Sequence, residues 1–222
     1  MKYLYRLFFA VIPVILEVLG LFSAKIRHFL GGRGGAILKV SEFRNQFPGK
    51  LVWFHVASLG EYEQARPVIE SWKKRFPEWK AAVTFFSPSG YDHVSKRPHP
   101  LVDFVGYIPL DQKTKAQQFV KAMNPDLVFF VKYDLWFHHI EELYRKKIPM
   151  YLIAAVFRSE QVYFQSYGKF FQEMLNRLNW VFTQDQKSIA LLQKIGIEHA
   201  SQAGDTRFDR VAATASAPKS LP

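Results

Sequence analysis

The chain has 222 residues, 49% apolar and 22% charged, with 21 Phe and 10 Tyr, which is material for one sizeable core with appendages and excludes wholesale disorder. Thirty Lys and Arg against 19 Asp and Glu give a net charge of +11, which attracts polyanions of any kind: nucleic acid, an anionic bilayer or a phosphorylated substrate. No Cys is present, so a disulfide framework, a thiolate zinc site and a Cys nucleophile are all excluded.

Residues 7–24, LFFAVIPVILEVLGLFSA, form an apolar run of marginal spanning length, flanked by Lys2 and Arg6 before it and Lys25, Arg27 and Arg33 after it. Glu17 and Pro13 oppose a simple lipid-exposed span, so shallow or tilted insertion competes with crossing. Lys25 and Arg27 fit poorly after a signal-peptidase site, so residues 1–30 read as a retained membrane anchor; a buried core helix is the alternative. The heavier positive charge after the run puts the body on the cytoplasmic side. The GGRGG run at 31–35 predicts a helix break and a flexible linker, and the domain is expected to start at 36.

Beyond it, apolar runs alternate with amphipathic stretches. Strands are expected at 51–57, 81–87, 101–110, 126–132, 150–156 and 180–184. Helices are expected at 61–75, after 87, at 113–123, 138–146, 160–178 and 186–194. Continuous apolar strands separated by helices imply a parallel sheet covered on both faces, a Rossmann-like doubly wound α/β domain over 36–211, with ligands at the carboxyl ends of the strands. Residues 212–222, AATASAPKSLP, read as a linker.

The first strand ends in HVASLGE, which puts His55, Ser58, Gly60 and Glu61 at that carboxyl edge. Ser58 and Glu61 have the spacing of a capping box, a purely structural reading that stands beside one in which Glu61 is a catalytic base. His138 with His139, and His93 with His99, do not form a metal-site pattern: neighbouring helix residues point apart and no HExxH is present. Lys73, Lys74 and Arg75 read as a solvated helix end.

Five segments share one further pattern: HVASLGEYEQARPVI (55–69), TFFSPSGY (84–91), YIPLD (107–111), NPDLVFFVKYDLW (124–136) and AGDTRFDRV (203–211). In this order and spacing they resemble the 3-deoxy-D-manno-octulosonic acid (Kdo) transferases, the first segment carrying their HxxSxGE motif. The resemblance implies the acceptor-binding, N-terminal half of a two-domain GT-B glycosyltransferase. Such an enzyme moves Kdo from CMP-Kdo to a lipid A precursor (lipid IVA), with inversion and without a metal or other cofactor, at the cytoplasmic face of the inner membrane. It further implies Glu61 as the base that takes the acceptor proton, and Ser58, Gly60, Asp134, Arg158 and Ser159 as acceptor-binding residues. Arg33, Lys50 and Arg66 are added as candidate phosphate partners by proximity to the edge or anchor, and Arg66 is counted with the acceptor-binding set.

In the family the GDTRFD-like segment precedes the crossover to a donor-binding domain, and here the chain stops soon after Asp209. CMP-Kdo is therefore expected to bind through a domain not in this chain, and the half alone is expected to be inactive. One departure stands out: where many members carry two acids before Trp, this chain has Lys132, Tyr133 and Asp134, so Lys132 replaces the first acid and only Asp134 keeps the pattern. Read blandly, Asp134 caps the next helix and Trp136 is core. Arg207 and Asp209 pair with each other or lie near the interdomain cleft. The rival readings are a polyanion or nucleic-acid-binding module and a noncatalytic membrane-associated α/β module. No RNP, zinc-finger or helix-turn-helix signature supports a nucleic-acid partner.

Overall fold

The computed structural model describes residues 1–97 and 100–208. The run LVWFHV becomes β1 (Leu51–Val56), each residue of it buried, because an inner parallel strand has helices on both faces. It is followed by β2 (Lys80–Phe85), β3 (Phe104–Tyr107), β4 (Leu127–Val131), β5 (Met150–Ala155), β6 (Trp180–Thr183) and β7 (Ala200–Gln202). All neighbours pair in parallel in the order β3-β2-β1-β4-β5-β6-β7.

The strand period of two sorts β1 between two cores. Leu51 and Trp53 face α3 (Ala36–Gln46), α6 (Lys113–Met123), α7 (Phe137–Arg145) and α8 (Lys169–Asn176), whereas Val52, Phe54 and Val56 face α4 (Leu59–Arg75) and α5 (Pro88–Lys96). The seventh strand and α9 (Gln186–Lys194) complete the far edge. Strand order reverses direction between β1 and β4, and at such a switch point the loops leave in opposite directions and open a crevice at the carboxyl ends.

The chain departs from the sequence expectations at several places. The GGRGG run is not a linker: α2 (Ala24–Gly34) runs through it, with only Gly35 as its C-cap before α3 begins. Packing outweighs propensity here, since a Cβ at Gly32 would lie 2.1 Å from the Tyr107 ring, so glycine is what lets the helix approach. The expected helix over 160–178 is instead a 3-10 turn, Val162–Phe164, followed by the shorter α8, because the chain folds back on itself where a Cβ at Gly168 would meet the Val162 carbonyl at 1.9 Å. The expected strand over 101–110 shortens to Phe104–Tyr107. The short, polar β7 and the helix α3 carry too weak a pattern to have been expected. The expected linker at 212–222, Asp209 and His99 lie outside the described residues.

The apolar N-terminal run forms α1 (Lys2–Phe22), a helix long and apolar enough to cross a membrane. It is not a buried core helix. Tyr5 and Phe9 lie against the body, where Tyr5 Oη donates to Asp111 at 2.6 Å and accepts from the Phe137 amide at 3.3 Å. The opposite face leaves Leu4, Leu7, Val11, Val14, Val18 and Leu21 exposed. Arg27 of α2 donates to the Gly20 and Leu21 carbonyls, closing the turn between the two helices.

Candidate active site

The carboxyl ends of β1 and β4 flank the crevice. After β1 the chain turns through Ala57 and Ser58 into α4, which delivers Glu61 back under the strand end with only 7% of its surface exposed. The capping box does not form: the Ser58 side chain caps nothing, and Glu61 Oε2 accepts from the Ala57 amide rather than from Ser58. Among the described residues Oε1 accepts no hydrogen bond, which leaves it for another donor. Burial raises the Glu61 pKa; the Ala57 amide opposes this, nearby Asp134 adds to it, and Lys132 and His55 oppose it. A carboxylate so placed is a stronger base than an exposed glutamate once it has lost its proton.

His55 is the residue the sequence reading left without a role. Fully buried in β1, it lies 2.9 Å from Thr84 Oγ1 through Nδ1 and 2.9 Å from Asp134 Oδ2 through Nε2. The neighbours assign the protons. A carboxylate oxygen accepts, so Nε2–H donates to Asp134, and Nδ1 is left to accept from the Thr84 hydroxyl, whose oxygen in turn accepts from Trp53 Nε1 at 2.7 Å. Trp136 Nε1 lies 3.1 Å from His55 Nε2 and 3.2 Å from the same carboxylate oxygen, and with Nε2 protonated it is the carboxylate that accepts from it. Asp134 is thus held from below by the core and does not cap α7, which corrects the bland reading of it. Trp136 is half-buried between Phe86, 4.7 Å away, and Phe9 of α1, 5.9 Å away. The signal in sequence was the lone histidine inside an apolar strand, which must find partners when buried.

Asp111, the last residue of the YIPLD segment, caps α7 in place of Asp134. It is fully buried and accepts from the His138 and His139 amides, from His139 Nδ1 at 2.6 Å and from Tyr5 Oη, while His138 Nδ1 donates to its carbonyl at 2.5 Å. Burial alone would raise its pKa, but the hydrogen bonds from His138, His139 and Tyr5 outweigh it and hold the carboxyl well below the usual range. The two histidines therefore converge on one carboxylate although they are adjacent in sequence.

A cavity of about 510 Å³ opens beside this edge, with Gln64 of α4, Lys132, Arg158 and Arg207 on its walls. Lys132 holds a left-handed backbone, φ 62°, at the turn out of β4, a conformation that few non-glycine residues adopt. Tyr163, from the 3-10 turn, donates to the Tyr133 carbonyl at 3.3 Å, and burial raises its pKa, with Asp134 adding to the effect. Thr206 Oγ1 donates to the Gln64 carbonyl at 2.7 Å and Arg207 pairs with Asp205 at 2.5 Å, so the GDTRF segment is laid along α4.

Of the residues expected at the site, Ser58, Gly60, Glu61 and Asp134 gather at the crevice between β1 and β4, and Arg158 lines the adjoining cavity with an exposed side chain. Ser159 is exposed beside it, its hydroxyl 3.3 Å from Glu160. Arg66 points along α4 and pairs with Glu63 and Glu70, each at 3.5 Å. Two added cation candidates are corrected. Lys50 precedes β1, at the opposite end of the sheet, and sits over Trp79. Arg33 is buried among the Phe29, Phe86 and Tyr107 rings, donates to the Phe29 and Phe86 carbonyls, and has its pKa pushed down to about 10 by burial, so it ties α2 to the body.

A family profile described as "3-Deoxy-D-manno-octulosonic-acid transferase (kdotransferase)" matches residues 32–210. Curated 3-deoxy-D-manno-octulosonic acid transferases are similar to the chain. That of Chlamydia trachomatis serovar D is 35% identical over 105 residues, covering 47% of this chain and 24% of that protein. That of Haemophilus influenzae is 26% identical over 205 residues, covering 89% of this chain and 46% of that protein. The chain thus spans less than half the length of these relatives. Among solved structures, a UDP-N-acetylglucosamine 2-epimerase superposes with a TM-score of 0.56 at 16% identity over 78% of this chain and 53% of that one. The UDP-GlcNAc 2-epimerase of Neisseria meningitidis gives 0.55 at 17% over 76% and 50%. These are GT-B-like neighbours and share the Rossmann-like parallel sheet.

Proposed function

The chain belongs to the 3-deoxy-D-manno-octulosonic-acid transferase family, and from that premise we propose that it is the acceptor-binding half of a glycosyltransferase moving Kdo from CMP-Kdo to a lipid A precursor. The observation that carries the reading is Glu61: a buried carboxylate at the switch point of the sheet, oriented by one backbone amide and with one oxygen unengaged.

In this mechanism Glu61 Oε1 takes the proton of an acceptor sugar hydroxyl as that oxygen bonds to the anomeric carbon of Kdo. The bond from that carbon to the phosphate oxygen breaks, and CMP leaves with the electron pair. A single displacement inverts the anomeric centre and calls for no metal or other cofactor from this half. Asp134, fixed by His55 and Trp136, orients the acceptor from the β4 side, and Arg158 with Ser159 meets its polar groups, while Ser58 and Gly60 form the floor. Arg66, committed to Glu63 and Glu70, acts at most through the shape of α4. CMP-Kdo binds through the partner domain across the crevice, and the domain bounds 1–30, 36–211 and 212–222 are part of this proposal. The exposed apolar face of α1 seats the chain on the cytoplasmic side of an anionic inner membrane, beside its lipid acceptor, with no role for nucleic acid.

The test is binding of this chain to dispersed tetraacylated lipid A precursor at two salt concentrations, followed by transfer in the complete enzyme. Saturable binding that exceeds binding to phosphatidylglycerol vesicles is expected. In the complete enzyme Glu61→Gln is expected to lower transfer by roughly a hundred- to ten-thousandfold with binding retained. The acid limb of wild-type activity should lie above the ordinary glutamate range, since burial raises the Glu61 pKa. Equal binding to any anionic vesicle removes the acceptor assignment, and full activity of Glu61→Gln removes the base.

A further inference from the structure

The first turn of α6 has a charge distribution that works against the helix. Its N-cap, Gln112, makes no side-chain cap bond, no acid lies in the first turn, and Lys113 and Lys115 stand there instead, where the positive end of the helix dipole repels them. The first amide to find a helical partner is that of Ala116, which donates to Gln112 at 2.8 Å. Among the described residues the Lys113, Thr114 and Lys115 amides have no acceptor.

This turn faces a cavity of about 460 Å³ whose other wall is α1, through Arg6, Phe9 and Ala10. Arg6 Nε is buried without a partner, and its Nη2 reaches Glu141 only at 3.6 Å. A separate observation comes from α7. His138 lines the same cavity, is 4% exposed, and commits Nδ1 to the Asp111 carbonyl; its Nε2, on the far side of the ring, is buried with no hydrogen-bond partner. No carboxylate is among the residues lining this cavity, whereas Arg6, Lys113 and His138 also border an adjoining cavity of about 430 Å³ that holds Glu141 and Glu142.

We propose that the cleft between α1 and the start of α6 is an oxyanion site that takes a phosphate group, held by the free amides of the α6 first turn, by Lys113, Lys115 and Arg6, and by the His138 ring, whose Nδ1–H is given to the Asp111 carbonyl and whose Nε2 donates to the oxyanion by taking up a second proton on binding. Amides at a helix start supply directed donors, and the cations supply charge, a combination that favours phosphate over chloride. Phe9 and Ala10 are the apolar part of the lining, and Ala10 stands one helical turn from the exposed Leu7 and Val14, so a phosphodiester with an apolar substituent fits the direction of α1. The shared chemistry is phosphate, supplied by a lipid headgroup or by the free ion. Neither Glu61 nor Asp134 lines this cleft, and the site does not rest on the transferase reading.

The test uses the full chain in detergent with two probes: inorganic phosphate titrated at constant ionic strength, followed by the His138 ring resonances, and cosedimentation with phosphatidylglycerol against phosphatidylcholine vesicles. Wild-type protein should bind at least one probe saturably. Replacing the exposed pair, Lys113→Gln with Lys115→Gln, should weaken that binding about tenfold or more while leaving the unliganded melting temperature equal or higher, as relief of the dipole clash requires. A control pair on α9, Lys187→Gln with Lys194→Gln, removes the same charge and should change binding less than twofold. His138→Asn keeps a donor for the Asp111 carbonyl, removes Nε2 and should also weaken binding. Response to inorganic phosphate assigns the free ion as a sufficient ligand, and response to phosphatidylglycerol alone assigns a headgroup. Saturation by neither probe, or equal losses in the α6 and α9 pairs, overturns the site.

Discussion

Two buried carboxylates stand at helix starts in this molecule, and they are treated oppositely. Asp111, at the head of α7, has no exposed surface and accepts from two amides, an imidazole and a phenol, which hold its pKa far down. Glu61, in the first turn of α4, is 7% exposed and accepts from one amide, and burial pushes its pKa up. Desolvation acts on both; what differs is how many donors answer it. The satisfied carboxylate ties α1, α7 and the β3–α6 turn together, and the under-satisfied one is left with an oxygen free for chemistry. On the function proposed above, stability and reactivity are divided between two sites of the same chemical kind.

Removing the satisfied one should have the largest effect. Asp111→Ala orphans the α7 amides, the His139 ring and the Tyr5 hydroxyl in a buried region, and should cost about 3–5 kcal/mol in denaturant unfolding, with α1 becoming susceptible to proteolysis. A cost under about 1 kcal/mol would mean the network is not holding the fold. The pH dependence has the matching sign. Asp111 has a lowered folded pKa, so its contribution is fully present above the ordinary aspartate range and is lost as pH falls below about 4.

Glu61 runs the other way, and by less. Its folded pKa is raised, so the charged form is penalised on folding, and stability falls as pH rises from about 4.5 through the raised value. Glu61→Gln keeps an acceptor for the Ala57 amide and removes that penalty. The variant should melt higher than wild type at pH 8, by the few degrees that about 1 kcal/mol gives a chain of this size, with the gain vanishing towards pH 4. A variant that melts lower at pH 8 would make Glu61 a structural carboxylate like Asp111.

The sheet was legible because its strands are continuous apolar runs and its helices amphipathic, two periods that no other arrangement of these elements satisfies. The edge carrying Ser58, Gly60 and Glu61 followed from the same reading, since parallel strands bring their carboxyl ends together, whereas Asp134 entered through the resemblance. What was illegible depended on partners far apart in sequence. Nothing local to His55 announces Asp134, 79 positions on, or tells that Asp111 rather than Asp134 heads α7. Nor does the composition of GGRGG distinguish a loop from a helix that needs one glycine, Gly32, to pass Tyr107, because the ring that decides it comes from β3. Arg33 reads as a free cation for the same reason, and only the three rings around it make it a buried tie.

The smallest expected effect separates the glycines of the site. At Gly90 a Cβ would come within 2.9 Å of the Leu59 amide and 2.7 Å of the Phe85 ring, so that glycine is required by the packing of α5 against the start of α4. At Gly60, in the first turn of α4, a Cβ would meet only Ser58 Oγ, at 4.0 Å, and the helix itself favours alanine by up to about 1 kcal/mol. The fold therefore gives no reason for glycine at 60. Gly60→Ala should leave the melting temperature unchanged or raise it by a degree or two, while Gly90→Ala should lower it. If the bare backbone at 60 makes room for the acceptor sugar beside Glu61, transfer by the complete enzyme carrying Gly60→Ala should fall through a raised KM for the lipid with kcat nearly intact. Unchanged KM would leave the start of α4 to Glu61 alone.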